Sequence, residues 1–262
     1  MKKRKMYSEI IYFIAITFMS LGIALVSLSE LGLSMVVAPA YIISEKIDGL
    51  TFGRAEYMVQ GMVFCVFCII KKKIKPVYFF SFFTGVLYGI LIDFWRSLWG
   101  KYMTIIIQSG KLVLGGRILY FIIGVICSAF SVSLFYRIYL YSPVYEFFVK
   151  GVSKEFGIDI IKFKRAFDAS GLIIACILSA VLFQKLIGVG IGTFIMAYFN
   201  GIIIDYIGRL VDKNVTIEPY WKNAAKNLNY KRRIPKGLSF KNFYSQFDGC
   251  TGYFAHFLAA LI

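Results

Sequence analysis

The chain is short of charge. Only 17% of its 262 residues are Asp, Glu, Lys or Arg, against about 25% in an ordinary soluble domain. Hydrophobic residues make up 59%, more apolar surface than one water-soluble core can hide, which excludes a soluble globular protein and assigns the chain to a bilayer. Histidine is nearly missing: the one, His256, lies close to the C-terminus, so no His-based triad or zinc cluster can form in the apolar part. No G-x-S-x-G, H-E-x-x-H or P-loop occurs, and these absences point away from the common hydrolases and nucleotide enzymes. The expectation is a non-enzyme with neither metal nor cofactor.

Negative charge is scarce as well, with 14 acidic against 30 basic residues and a net charge of +16. In a soluble chain that balance would suggest nucleic acid. Here the basic residues gather between and after apolar runs, at Lys2–Lys5, in "KKKIK" at 71–75, at 150–165 and after Val211, as in the cytoplasmic loops of a membrane protein. The reading is a lipid-bilayer partner and no nucleic acid. Four of the five cysteines lie in apolar runs, where a thiol acts as a small hydrophobe. Cys65 and Cys68 form a C-x-x-C, but the helix-like "GMVFCVFCII" lacks the βαβ setting of a redox motif.

Six segments are apolar and long enough to span: 9–29, 55–71, 76–98, 118–140, 167–184 and 189–211. The first follows a basic start, as in a signal peptide, but its apolar run from Ile10 to Leu28 is about 19 residues long with no A-x-A-like site after it, so it reads as a retained helix. Pro76 fits the first turn of the third. Two further segments, 34–46 and 142–156, are too short or mixed, and each holds a proline, Pro39 or Pro143. Broken backbone at membrane depth survives only when buried in protein or lining a cavity, so both read as re-entrant or interfacial half-helices.

"YGILIDFW" at 88–95 and "NGIIIDYI" at 200–207 are nearly the same words, 112 positions apart. The match extends outwards: Gly61 pairs with Gly171, "ISEK" at 43–46 with "VSKE" at 152–155, and Ser34 falls opposite Pro143. This is the pattern of an internal duplication. If the short segments do not cross, each unit has three spans, an odd number, and the second must sit inverted, as in secondary transporters. Six spans also place all four basic clusters on one side, whereas eight would expose "KKKIK" outside. The expected architecture is all-α and polytopic, in two inverted three-helix repeats: a basic N-terminus (1–8), repeat one (9–99), a connecting loop (100–117), repeat two (118–211) and a basic cytoplasmic tail (212–262). Both termini are expected in the cytoplasm of a bacterial inner-membrane protein. The tail is either drawn to anionic lipid or simply solvated, and its terminal "GYFAHFLAALI" is too short to span.

Asp93 and Asp205 stand out as carboxylates inside apolar runs, costing about 2.5–3.5 kcal/mol at a bilayer centre. They suit gates near opposite mouths. Equally, Arg96 and Arg209 follow at three and four residues, neighbours on the same helix face, so each pair can mark a helix end. "GVGIGT" supplies Gly188, Gly190 and Gly192, either as a small-residue packing face or as free N–H groups for an anion. Asn200 is an amide near the middle of the last span, for solute or for interhelical bonding. Ser34 and Pro143 mark the broken segments, around which a small solute or ion is expected to bind. Gln60, Ser128, Ser131 and Asp168 are weaker candidates of the same kind.

"SLGIALVSLSELGLSMVVAPAYIISEKI" (20–47), "FDASGLIIACILS" (167–179) and "GVGIGTFIMAYFNGIIIDYIGRL" (188–210) resemble the bacterial YczE/YyaS/YitT-like integral membrane proteins. The resemblance spans about residues 8–211 and implies a membrane location and no particular reaction. Two functional expectations follow: a secondary transporter or exporter, or a non-transporting membrane partner such as a capture subunit or scaffold, alone or as a homo-oligomer.

Overall fold

The computed structural model describes residues 4–72, 78–108, 113–158 and 160–221. Pro76, Cys250, His256, part of "KKKIK" and the tail beyond 221 lie outside the described residues. Eight helices run through them: α1 (Ser8–Ser29), α2 (Ala38–Lys46), α3 (Phe52–Lys71), α4 (Phe79–Gln108), α5 (Val113–Phe135), α6 (Val144–Phe156), α7 (Ile160–Phe183) and α8 (Ile191–Asn214). Six are long and apolar enough to cross a membrane. The 9 residues of α2 and the 13 of α6 reach only about 13 and 20 Å at about 1.5 Å per residue, short of a core about 30 Å thick. The fold is an all-α polytopic one of six spans and two half-helices.

Several boundaries differ from the sequence expectation. The 100–117 connection is mostly helix, because α4 continues to Gln108 and α5 starts at Val113; Arg96 and Lys101 are good helix formers and do not end a helix merely because they end an apolar run. At the other end α5 stops at Phe135 rather than 140. There Arg137 leaves the helix and forks onto Asp212 of α8, Nε to Oδ1 at 2.9 Å and Nη2 to Oδ2 at 2.7 Å. The chain around 215 is also not simply tail. Strand β2 (Val215–Glu218) pairs in parallel with β1 (Arg4–Tyr7), Arg4 opposite Val215 and Tyr7 opposite Glu218, so the start of α1 and the end of α8 share one end of the molecule.

The centre is the antiparallel pair α1–α5. A Cβ on Gly22 would come within 2.7 Å of the Gly124 carbonyl, and one on Gly124 within 2.7 Å of the Gly22 carbonyl. Backbones in such contact need glycine on both sides. Arg117 pairs with Glu30 at 2.7 Å at one end, and the Tyr139 hydroxyl donates to Glu9 at 2.6 Å at the other. Helix α4 packs on α1, α8 on α5, α2 on α7 and α6 on α3.

Candidate functional site

Half-helix α6 runs alongside α3 in the same direction. Val144 lies beside Gln60, Gly151 against Phe67, and Glu155 against Lys71. Its outer end is held by the Lys71–Glu155 ion pair, and that ammonium keeps the Glu155 carboxyl below the usual carboxylate range. Its N-terminus, capped by Pro143, therefore sits level with Gln60, eleven residues or about 16 Å inside the end of α3. Before it, the Ser142 carbonyl accepts from the Ser81 hydroxyl of α4 at 2.7 Å. Proline fits because it lacks the N–H that a helix start leaves unpaired.

Around that buried helix start stands a polar cluster in an otherwise apolar core. Glu56 and Gln60, one turn apart on α3, are both 0% exposed. The Gln60 amide donates to Glu56 Oε1 at 3.1 Å, and its oxygen accepts from the Val144 N–H at 3.3 Å. The Tyr145 hydroxyl of α6 donates to Glu56 Oε2 at 3.3 Å. From α4, Gly85 leaves room for Gln60: a Cβ there would collide with Gln60 Oε1. Tyr88 of α4 is 1% exposed, and its hydroxyl is buried without a partner among the described residues. Among those residues no Lys or Arg forms an ion pair with Glu56; the formal charge set against it is Glu146, of the same sign. A carboxyl so placed needs a bound proton, a bound cation or a change of surroundings to compensate its charge.

Glu56 was not among the residues the sequence singled out, and Gln60 was only a weak candidate. Glu56 falls near the start of the apolar run 55–71, where a charge reads as a helix end. The signal that could have found it is the i, i+4 pairing of a carboxyl with an amide on a face otherwise apolar (Phe52, Phe64, Phe67).

The expected site residues are dispersed. Asp93 does not pair with Arg96. It reaches across to the start of α3, accepting from Thr51 Oγ1 at 2.5 Å and the Gly53 N–H at 2.7 Å, which ties α4 to α3 through a helix N-terminus. Arg96 instead pairs with Glu45 at 3.6 Å and lies over the rings of Tyr41 (5.5 Å) and Phe52 (5.3 Å). Burial, with the Glu45 carboxylate beside it, pushes the Tyr41 hydroxyl up to about 12. Asp205 lies near the other end, paired with Arg209 at 2.6 Å on its own helix. Asn200 is half-buried in α8, its Oδ1 without a partner among the described residues. Ser34 opens α2, its carbonyl accepting from Val37 and Ala38, whereas Pro143 belongs to the α6 junction. Ser128 and Ser131 bond to backbone carbonyls, Ser131 to Ala15 of α1, and Asp168 pairs with Lys164 at 3.1 Å.

The glycines of "GVGIGT" pack against the 31–34 loop. The Gly192 N–H donates to the Leu31 carbonyl at 2.7 Å, Leu33 donates to the Gly188 carbonyl at 2.9 Å, and the Gly190 N–H bonds to Thr193 Oγ1 at 3.2 Å. Gly32 has φ +115°, and a Cβ there would lie 2.6 Å from Thr193 Oγ1. With the Gly190 and Gly192 N–H groups engaged, close packing is the reading the geometry favours over an anion cradle.

A cleft of about 340 Å³ opens at the end opposite the strands, lined by Glu45, Thr51, Phe52, Asp93, Arg96 and Ser97 among others. Phe52, 1% exposed, forms its floor one turn above Glu56.

No curated protein and no solved structure matches the chain. Residues 6–209, from β1 almost to the end of α8, match the model of the DUF6198 family, and the chain belongs to that family, one of unknown function.

Proposed function

We propose that the chain is a secondary carrier of a small solute or ion, with its binding position at the Glu56–Gln60 junction. The observation that carries this reading is a fully buried carboxyl–amide pair set against the N-terminus of a half-helix inside a six-span protein. Secondary transporters place their sites at such broken helices, and an ionisable residue at membrane depth is expensive unless it works. The reading takes the two four-helix units, α1–α4 and α5–α8, as an inverted repeat. The reciprocal packing of α2 on α7 and of α6 on α3, with Gly22 and Gly124 in mutual contact, supports a two-fold relation. The strand-bearing end, with Arg4, Lys5, Lys71 and Lys213, is taken as cytoplasmic by its charge, in a bacterial inner membrane as the YczE/YyaS/YitT-like resemblance implies. The cleft above Phe52 is then the outward mouth, and anionic headgroups face the basic end.

The test is a thermal-stability screen of the purified chain against ions and metabolites, since a ligand of the folded state raises stability by mass action, followed by flux in liposomes. Ligand stabilisation and flux should both fall at least tenfold in Glu56→Gln. If no solute moves in the unaltered protein, the reading fails.

A partner role without transport is the second reading, and one observation favours it. Only 17% and 11% of the α7 and α8 spans are buried, against 61% for α1 and α5, leaving Ile177, Val181 and Tyr206 uncovered, a face open to a second copy or another subunit. Binding without flux in liposomes would select this reading.

A further inference from the structure

The chemistry around Glu56 goes further and names the ion. A metal cation needs several oxygen acceptors turned towards it. What faces this carboxyl is mostly the reverse. Gln60 presents its NH₂ to Oε1 and turns its oxygen away, to the Val144 N–H. Tyr145 presents a hydroxyl to Oε2. The carbonyls of α3 at this depth lie inside a continuous helix and are spent on its own hydrogen bonds.

The hydroxyls suit a group that gains and loses a proton. An O–H donates to a carboxylate and, after rotating, accepts from a carboxylic acid. Tyr145 can therefore satisfy Oε2 in both states. Tyr88 carries the independent sign of a site: the residue is 99% buried, its hydroxyl is without a partner among the described residues, and it lies within electrostatic reach of Glu56. An orphaned buried hydroxyl is costly, and this one is free to bond to the carboxyl in a different protonation state. The titratable groups facing Glu56 are Tyr88 from α4 and Tyr145 and Glu146 from α6; α2 contributes Tyr41, one turn away against Phe52.

We propose that Glu56, with Gln60, Tyr145 and Tyr88, is a reversible proton-binding site rather than a sodium or potassium site. A proton from water forms an O–H bond at Glu56 Oε2 and discharges the carboxylate; on release it returns to water, and Gln60 and Tyr145 hold the charged form. The proposal rests on the carrier reading for its purpose and on geometry alone for its chemistry.

The experiment is infrared difference spectroscopy of the detergent-purified full chain across a pH titration, with NaCl, KCl or choline chloride as the salt. The expected result is a protonated-carboxyl C=O band that bleaches as pH rises and is missing from Glu56→Gln, with a midpoint the same in all three salts. Tyr145→Phe, which removes one oxygen from a packed ring, should keep the band and displace its midpoint. This second variant keeps the test decisive if Glu56→Gln does not fold. A protein with no bleaching carboxyl band, a midpoint that moves with Na⁺ or K⁺ concentration, or a midpoint untouched by Tyr145→Phe would overturn the proposal. Titration without flux in liposomes would remove the carrier reading and leave the proton site standing; flux without titration would do the opposite.

Discussion

The two aspartates of the repeated octapeptides have the same neighbours in sequence and different work in space. Asp93 reaches from α4 across to the start of α3. Asp205 stays on α8, paired with a largely exposed Arg209. The difference lies in what each helix packs against. Helix α4 presses so closely on α3 that Gly53 and Gly89 meet through their backbones, bringing the Gly53 N–H to Asp93. Helix α8 packs on α5 and makes no comparable packing with α7. The α3–α4 pair is closed beside a buried polar cluster and α8 is open along its outer face, so near-identical words carry different energies.

The closure is the place to break first. A Cβ on Gly53 would overlap the Gly89 carbonyl, and backbone cannot yield as a side chain can. Gly53→Val should cost about 3 kcal/mol or more by overpacking, read as a lowered melting temperature of the purified protein or as lost yield. A milder change, Gly89→Ala, meets the Gly53 carbonyl at 2.5 Å and should fall below it in the same assay. Equal melting of both variants and the unaltered chain would mean that α3 and α4 are not in contact.

Asp93→Ala removes two hydrogen bonds to a charged acceptor and leaves the Gly53 N–H without its partner. Bonds of that kind are worth about 1.5–3 kcal/mol, so a loss of about 2 kcal/mol is expected. Asp205→Asn dissolves an i, i+4 pair whose arginine is largely exposed, worth about 0.3–0.5 kcal/mol, and raising the salt concentration should weaken even that. Equal effects of the two variants on melting would break the contrast between the units.

The architecture was largely legible before any coordinates. Spans and half-helices follow from hydropathy and length, because a bilayer imposes both. The site was legible only in part. A single apolar run cannot tell which of its polar residues faces a partner, so nothing local marks Glu56, and Asp93 reads as well for a partner of Arg96 as for a gate. Both depend on α6 and α4 arriving from 89 and 40 residues away. The β1–β2 pairing escaped notice for the same reason: four-residue strands 211 positions apart leave no local period to read.

The smallest expected effect separates the half-helices themselves. The last turn of α6 is held to α3 by the Lys71–Glu155 ion pair, while the last turn of α2 is held by Lys46 over the Phe183 ring at 5.4 Å and, more loosely, by Glu45 on Arg96 at 3.6 Å. Glu155 has its carboxyl lowered first by the hydrogen bond from Lys71 and then by that ammonium's charge. A lowered carboxyl contributes stability that is present above its unfolded value, near 4.5, and is lost as pH falls through the folded one. A cation over a ring has no acid group to protonate. Hydrogen exchange, corrected for intrinsic rates, should therefore show the amides at 153–157 losing more protection than those at 43–47 as the pH is brought below 4.5. Glu155→Gln should show the acid-state exchange of α6 already at neutral pH. If both half-helix ends loosened together on acidification, the ion pair would not be what holds α6 in place, and the two units would be more alike at their ends than at their aspartates.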